Sequence, residues 1–387
     1  MESPLSKVFN GWKIFLAIAI GLLISSWMLY NSLSVSHFIA DQKNGTHEWV
    51  DGNQNNRVDM SEEIDFKVSK HGTYRQLTFT ESMNQIEWDS STTIWLFIAL
   101  LFMVSRDFFY VVRIRLLTKN QLGWKAAIYV ILLWEFASAL TPGVVGGAAV
   151  AMFILNRETI PLGRATAIVI ITAFMDNLFF VLMIPLVFLF VHNSDLFPVE
   201  EGSTLILSWW FWGGFGIIFS VCLMLYLTLF WYPSFATRFL LFVFRFPLIK
   251  RWKFIAAEWG KDIEKAAITF KKEKNSFWLA VFVSTFMSWI SRYLVINAIL
   301  NAFLHLGFYD NILVLGKQLI LWLFMLVSPT PGGSGVAEYA FGEILSSFSS
   351  SAILLVIMAI IWRLISYFPY LFIGAILLPS WIKRTRS

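Results

Sequence analysis

The stretch SPTPGGSGVAE at residues 328–338 interrupts a long apolar segment with two prolines and three glycines. Proline removes a backbone donor and glycine weakens a helix, so a break of this kind at membrane depth requires that the freed groups face protein or water. Its last residue, Glu338, is ionisable and lies within an apolar segment, which marks a candidate functional site. We expect the fold to be organised around this break.

A similar break occurs earlier in the chain. The stretch TPGVVGGA at 141–148 aligns with TPGGSGVA at 330–337. Two broken hydrophobic segments in corresponding halves of a chain indicate a transporter-type binding site near the middle of the membrane. The break residues that we expect to shape this site are Pro142, Gly143, Gly146, Pro331, Gly332, Gly333 and Gly335.

The composition indicates an integral membrane protein. Of the 387 residues, 57% are hydrophobic and 14% are charged, and 18 are tryptophan, which is far from the composition of soluble globular proteins. The single cysteine, Cys222, excludes a disulfide, an iron–sulfur cluster and a cysteine-based zinc site within one chain. The net charge of +5 does not indicate a nucleic-acid partner. Its basic residues are informative because those beside the spans set the orientation in the membrane.

Apolar runs long enough to cross a bilayer, about 20 residues each, recur along the chain. We predict an all-α polytopic membrane protein with about six full spans, two re-entrant helical hairpins and a small extracytoplasmic insert. The spans are expected at 14–30, 92–112, 165–191, 205–230, 277–303 and 352–378. The segments are an N-terminal membrane anchor (1–30), the insert (31–91), a first membrane repeat (92–204), a connecting span with a basic cytoplasmic amphipathic segment (205–275), and a second membrane repeat with a basic tail (276–387). The alternative for the first apolar run is the core of a signal peptide, but the run is long for one, so we favour an uncleaved anchor.

Lysine and arginine beside the spans set the orientation. Basic residues precede the first span, follow the span that ends at 112 and close the chain at 383–386, so both termini are expected in the cytoplasm. Basic residues also flank 126–164, whose two arms are too short to cross at about 1.5 Å per residue. This predicts a hairpin that returns to the cytoplasm. Counting back from the C-terminus, the second hairpin begins and ends outside, so the two repeats have inverted topology.

Two local patterns are predicted outside the spans. In the insert, apolar residues alternate on both sides of 70–72, which predicts a small β-hairpin. In the basic segment, apolar residues recur at helical spacing between lysines, a pattern typical of a helix on the membrane surface and also of a packed core stripe. We favour the surface helix. The residues of the stripe are Trp252, Ile255, Trp259, Ile263, Ala266 and Phe270.

The two breaks, together with PLGRA at 161–165, Asp176-Asn177 and WRLISY at 362–367, resemble the lysylphosphatidylglycerol synthase transmembrane region, a flippase-like membrane family. The resemblance covers roughly residues 92–380. It implies movement of a phospholipid or another lipid-linked amphiphile between the leaflets of the cell inner (cytoplasmic) membrane of a bacterium or archaeon.

Charged residues inside the apolar segments are the candidate ligands. Asp176 and Arg363 follow the two breaks at similar spacing, so opposite charges are expected at equivalent depths in the two repeats. Arg363 suits a phosphate, because a guanidinium makes bidentate bonds to its oxygens, or a structural pair with one of the acids. Glu338 suits a proton or a cationic headgroup, or caps the helix it begins. Arg292 and Lys317 are expected either in the same cavity or snorkelling to an interface.

A separate pattern, DGNQNNRVDMSE, lies in the insert at 51–62. Its oxygen-bearing side chains match the spacing of an EF-hand calcium loop, with asparagine in place of the usual glycine at the sixth position. The alternative is a polar turn without metal. No other cofactor is expected. The candidate calcium ligands are Asp51, Asn53, Asn55, Arg57, Asp59 and Glu62.

The leading functional hypothesis is a lipid translocator whose partners are membrane lipids, above all anionic phospholipid. A secondary transporter of a small anion or amino acid would use the same repeat, and a membrane scaffold for a separate lipid-modifying enzyme also fits. We do not expect an enzyme, because the five histidines form no cluster and no Ser/His/Asp arrangement or phosphate loop is present in the sequence. Apolar gaps open to lipid favour the translocator, whereas a closed polar cavity favours the solute transporter.

Overall fold

The computed structural model describes most of the two membrane repeats and parts of the insert. The predicted anchor at 1–30 and the candidate calcium ligands lie outside the described residues. Those residues are 38–41, 44–50, 52, 65–70, 72–76, 88–141, 143–197, 203–245, 253–326, 330, 332–349 and 351–386.

Helices make up nearly all of the described membrane part. A π-helical turn, Leu227–Trp231, extends the sixth helix, and a 3₁₀ turn, Ser346–Phe348, follows the eleventh. The helices are α1 (Ser90–Leu117), α2 (Trp124–Leu140), α3 (Gly143–Arg157), α4 (Leu162–Phe188), α5 (Asn193–Leu196), α6 (Ser203–Tyr226), α7 (Phe235–Val243), α8 (Lys253–Phe270), α9 (Asn275–Leu304), α10 (Phe308–Leu326), α11 (Val336–Leu345), α12 (Ala352–Ser366) and α13 (Phe368–Arg386).

Five segments of the described residues are long and apolar enough to cross a membrane, and they overlap the predicted spans after the N-terminal anchor. The all-α polytopic membrane fold is thereby confirmed. The arms of the first predicted hairpin, α2 and α3, are shorter, at 17 and 15 residues. The last predicted span is two helices, because the backbone of Tyr367 leaves the helical region at φ −127° and ψ −59°. The five segments are Ser90–Leu117, Leu162–Phe188, Ser208–Trp231, Asn275–Leu304 and Ile353–Thr385.

The described part of the insert contains a four-stranded antiparallel sheet. The hairpin predicted around 70–72 is wrong, because β2 lies between β3 and β4 and pairs with both. The connection between β3 and β4 passes over the end of β2, where the Thr46 amide donates to the Tyr74 carbonyl at 2.8 Å. Alternation therefore identified strands but not their partners, since a hairpin also depends on a matching short loop. The strands are β1 (Phe38–Ala40), β2 (His47–Trp49), β3 (Phe66–Val68) and β4 (Tyr74–Gln76), in the order β1-β4-β2-β3.

Helices α1 and α9, the first of each repeat, pack along each other in opposite directions. Near one end the hydroxyl of Thr92 donates to the carbonyl of Ala302 at 3.0 Å. Toward the other end Arg113 Nη1 donates to Thr285 Oγ1 at 3.2 Å. Antiparallel packing of equivalent helices is the relation that an inverted repeat requires.

The hairpin arms follow the same symmetry. The arm α2 packs on α3 and on α13, and the equivalent arm α10 packs on α11 and on α4. Each first arm thus contacts the last membrane helix of the other repeat. The two breaks are therefore brought to the seam between the repeats.

The basic segment folds as α7 and α8, which pack on each other. Ile263, Ala266 and Phe270 are buried, and α8 also packs on α4. Ile255 and Trp259 are instead 46% and 54% exposed. The apolar stripe is thus a core stripe in the second half of α8 and an exposed surface in the first half. Trp252, which would extend it, lies outside the described residues.

The loop after α4 is tied to the start of α10. Asp195 in α5 accepts a hydrogen bond from the hydroxyl of Tyr309 at 2.5 Å and another from the hydroxyl of Ser194 at 3.1 Å. These donors stabilise the carboxylate, so they lower the pKa of Asp195 below its usual value, Tyr309 having the larger effect.

The packing of α2 on α13 can be tested at Gly374. A Cβ there would lie 2.2 Å from Cγ of Phe136, which is fully buried. We expect Gly374→Ala to lower the free energy of unfolding by about 1–3 kcal/mol, measured as a lower thermal unfolding midpoint in detergent. The matched control is Gly163→Ala, where a Cβ meets nothing within 4 Å, and its midpoint should not fall. Equal losses in the two variants would contradict this packing.

Candidate functional site

A cavity of about 490 Å³ lies where the two breaks meet. Thr141 and Ala148 line it from the first break, and Gly332 and Gly333 line it from the second. The rest of its wall comes from α1, α2, α4, α9, α10, α12 and α13. Tertiary packing thus joins the two motifs that the sequence separates by half of the chain.

The second break is shaped by a backbone conformation that other residues rarely adopt. Gly332, Gly333 and Gly335 have φ angles of +58°, +68° and +86°, in the region where glycine has no steric penalty. At Gly332 space is also lacking, since a Cβ would lie 2.2 Å from Cε2 of Tyr367. The glycines therefore let the chain turn tightly against Tyr367 before α11 begins.

An ion pair between Arg363 and Glu338 closes this break. Arg363 Nε donates to Glu338 Oε1 at 2.9 Å, and the two side chains are 3% and 1% exposed. The other carboxylate oxygen accepts the Gly335 amide at 2.6 Å. The guanidinium also donates to the Gly332 carbonyl at 3.3 Å and to Ser334 Oγ at 3.1 Å. Arg363 lines the cavity, whereas Glu338 lies behind it.

Tyr367, at the interruption between α12 and α13, connects the two hairpins. The centroid of its ring lies 3.8 Å from Cζ of Arg363. Its hydroxyl accepts a hydrogen bond from Ser334 Oγ at 3.1 Å and donates one to the carbonyl of Ala139 in α2 at 3.3 Å. One side chain therefore holds the second break at a set distance from the first hairpin.

Asp176 also lines the cavity, from α4, and it is also paired. Its Oδ1 atom accepts a hydrogen bond from Arg113 Nη1 at 2.5 Å and one from Trp289 Nε1 at 2.9 Å. The opposite charges predicted at equivalent depths, Asp176 and Arg363, thus face one cavity. Each is paired with a different residue and not with the other.

Helix α1 contributes a second buried cation. Arg106 is 1% exposed and donates to Glu135 Oε2 at 2.7 Å and to Asp107 Oδ1 at 2.8 Å. It also lies 2.6 Å from the hydroxyl oxygen of Tyr370, which donates to Asp107 Oδ1 at 2.7 Å. Glu135 and Tyr370 line the cavity. One guanidinium is therefore shared by two carboxylates.

Arg292, which also lines the cavity, has no hydrogen-bond or ion-pair partner among the described residues. It is half-buried, and its Cζ atom lies 5.4 Å from the ring centroid of Trp289. Thr172, 4% exposed, lines the same cavity, and its hydroxyl has no hydrogen-bond partner in this part of the structure. Buried polar groups are normally satisfied. The two side chains thus offer hydrogen-bonding groups to a ligand in the cavity.

The other predicted ligands lie elsewhere. Lys317 is 4% exposed and does not line the cavity. Its ammonium group donates a hydrogen bond to the carbonyl of Ile344 at 3.0 Å. Among the break residues, Gly335 lies behind the cavity, Gly143 and Gly146 lie in the first turn of α3, and Pro142 and Pro331 lie outside the described residues.

The metal prediction concerns the insert. No group of three or more His, Cys, Asp or Glu side chains in the described ranges is placed to hold a metal ion. The calcium-like loop at 51–62 lies almost wholly outside those ranges, so calcium binding there stays a prediction.

Sequence reasoning missed the buried charges of α1. It used Arg113 only as an orientation signal at the end of a span, but α1 continues to Leu117 and Arg113 is 5% exposed. It also passed over Arg106 and Asp107, which lie inside the span predicted at 92–112. Ionisable residues within a span are candidate functional residues by default, and that signal was available.

Comparison with known proteins agrees with this arrangement. The chain matches the family described as the lysylphosphatidylglycerol synthase TM region over residues 77–374. The chain belongs to this family. The matched region contains both breaks and every residue that lines the cavity, and it confirms the resemblance drawn from the breaks. A UPF0104 membrane protein from Archaeoglobus fulgidus is 26% identical over 318 residues, which cover 77% of this chain and 90% of the relative. No solved structure matches the chain.

The ion pair at the second break can be tested by a double-mutant cycle. Arg363→Met leaves Glu338 buried without its partner, which we expect to cost about 3–5 kcal/mol. Glu338→Leu should lower the free energy of unfolding by a similar amount, because it leaves the Arg363 guanidinium buried without its carboxylate. The double variant, which removes both charges, should be more stable than the sum of the two losses predicts. Thermal unfolding midpoints in detergent measure this, and additive losses would show that the two side chains are not coupled.

Proposed function

We propose that this protein moves a lipid with an anionic headgroup between the leaflets of the cell inner membrane. The observation that carries the proposal is Arg292, a half-buried guanidinium that faces the cavity without a carboxylate partner among the described residues. A charge at membrane depth is costly unless it is paired, so an anion bound beside Arg292 would stabilise both. A phosphate suits best, because its oxygens match the fork of a guanidinium. The unpartnered hydroxyl of Thr172 adds a further hydrogen-bonding group.

An apolar cleft offers a place for the acyl chains. This cleft, of about 640 Å³, lies between α1, α4, α9 and α10. Met183 on α4 and Leu315 on α10 line it, and they lie along the same helices as Phe180 and Trp322, which line the headgroup cavity. A second apolar cleft, of about 440 Å³, lies between α4, α6 and α9. A cavity with charged side chains on a largely apolar wall, beside apolar clefts, fits an amphiphile better than a small solute.

Stacked aromatic rings line the headgroup cavity on α4 and α10, the two helices that also line the first cleft. The ring centroids of Phe180 and Trp322 are 3.5 Å apart at an interplanar angle of 14°. Trp289 packs edge-on against Phe180 at 4.7 Å. For a headgroup to pass while its tails stay in the cleft, these rings have to separate. The proposal therefore requires a second state in which α4 and α10 are further apart.

The proposal has four further parts. The chain performs no catalytic step itself, it crosses the membrane several times with both termini in the cytoplasm, and its partners are anionic phospholipids. It needs no cofactor for translocation. A scaffold for a separate lipid-modifying enzyme remains an alternative that the experiment below distinguishes.

The test is leaflet exchange of fluorescent phosphatidylglycerol in proteoliposomes that contain the purified protein. We expect Arg292→Gln to slow exchange by about tenfold or more, because a hydrogen bond to a charged group contributes about 1.5–3 kcal/mol. Arg292→Lys should retain part of the rate, since it keeps the charge but not the fork. Phosphatidylcholine, whose headgroup is not a net anion, should exchange more slowly in the wild type.

The matched control is Arg238→Gln, which removes an exposed arginine on α7 outside the cavity. Its exchange rate should equal that of the wild type. Equal rates for Arg292→Gln and Arg238→Gln would remove Arg292 from the site. A folded wild-type protein that exchanges no lipid would favour a solute transporter or a scaffold.

A further inference from the structure

We propose that the carboxylates of Asp107 and Glu135 share one exchangeable proton, and that the protein moves this proton together with its anionic lipid. This inference rests on the proposed translocation and adds the energy source that drives it. It is carried by the distribution of charge around the cavity.

The cluster around Arg106 contains two carboxylates and one guanidinium, so it has one negative charge in excess. Its guanidinium is 2.7 Å from Glu135 and 2.8 Å from Asp107, and Arg106 is 1% exposed. The two carboxylates lie on helices that belong to the membrane part, α1 and α2. An uncompensated charge at such a place is expensive, and a carboxylate avoids the cost by binding a proton. Because both carboxylates bind the same guanidinium, one proton on either of them balances the charge of the cluster.

The proton enters and leaves at Glu135. Asp107 accepts hydrogen bonds from Arg106 and from the hydroxyl of Tyr370, and it does not line the cavity. Glu135 is paired with Arg106 and lines the cavity. The two carboxylates are similarly exposed, at 22% for Glu135 and 26% for Asp107, but of the two it is Glu135 that lines the cavity. Water in the cavity therefore reaches the pair through Glu135.

Among the described helices that pack on α1 and α2, no further cation is paired with this cluster: Arg363 on α12 is paired with Glu338, and Arg292 on α9 lies elsewhere on the cavity wall. From α1, Arg106, Asp107 and Tyr110 face Glu135, and Arg113, whose guanidinium also lies over the Tyr110 ring, is paired with Asp176. From α13 the facing group is Tyr370. Helix α3, which packs on α2, carries no titratable residue before Arg157. The surplus of one negative charge at the cluster thus stands.

The cavity also has a surplus positive charge at Arg292, so the charges of the described residues at the site sum to zero before lipid binds. An anionic headgroup bound at Arg292 would leave the site with one negative charge. A proton on the Asp107–Glu135 pair restores neutrality. A neutral site inside the membrane has a lower free energy than a charged one, so lipid and proton favour each other's binding. The lipid and the proton that are transported together carry no net charge.

The experiment measures the leaflet distribution of fluorescent phosphatidylglycerol in proteoliposomes with and without a pH difference of one unit. Valinomycin and equal potassium on both sides hold the membrane potential at zero. We expect lipid to accumulate in the leaflet facing the more alkaline side, with a shift in the leaflet ratio of up to about tenfold for one proton per lipid. A pH dye inside the vesicles should report proton entry that accompanies inward lipid movement.

The variant Glu135→Gln tests whether Glu135 binds the transported proton. This variant keeps the shape of the side chain but cannot bind a proton, so the leaflet ratio should no longer respond to the pH difference. Glu343→Gln, which alters an exposed carboxylate on α11 outside the cavity, should respond like the wild type.

The outcomes separate the two proposals. Wild-type exchange whose leaflet ratio ignores the pH difference overturns proton coupling and leaves translocation standing. A response that survives in Glu135→Gln overturns the role of this carboxylate. A folded wild-type protein with no exchange of any lipid overturns both proposals.

Discussion

A guanidinium and a carboxylate that are 3% and 1% exposed hold the second break in place. Either charge alone at this depth would cost several kcal/mol, and pairing offsets that cost only when further hydrogen bonds complete both groups. Here Glu338 accepts a further hydrogen bond from the Gly335 amide, and Arg363 donates one to the Gly332 carbonyl. In its described part, the break therefore leaves helical geometry while its buried charges keep hydrogen-bond partners.

The rest of the site depends on this arrangement. Tyr367 packs on the Arg363 guanidinium and hydrogen-bonds to Ala139 in the first hairpin, so the position of the ion pair determines the separation of the two breaks. The cavity is the space that remains between them. The shape of the cavity therefore depends on the Arg363–Glu338 pair. Of this pair, Arg363 lines the cavity and Glu338 does not.

Among the described residues at the cavity, the other charges follow the same rule with two exceptions. Asp176 is paired with Arg113, but Arg292 has no acid among the described residues, and Arg106 has two. Unpaired charges inside a membrane are retained where a ligand, an ion or a proton uses them. Both exceptions line the same cavity, through Arg292 and Glu135. This is why we assign the headgroup and the proton to one site. The family match begins at residue 77, directly after β4, so the site belongs to the part shared with the family and most of the insert precedes it.

The sequence by itself determined the membrane class, the approximate spans, the two breaks and the family, because hydropathy and glycine–proline breaks are local properties of the chain. It also singled out Asp176 and Arg363, which line one cavity in the structure. Only the tertiary structure decided which charges are paired, that Tyr367 divides the last span, and that β2 separates β3 from β4. The physical reason is that the partner of a side chain depends on the rotation of its helix and on which distant element packs beside it. Residues such as Arg106 and Tyr370 meet across most of the chain, and no local pattern contains that contact.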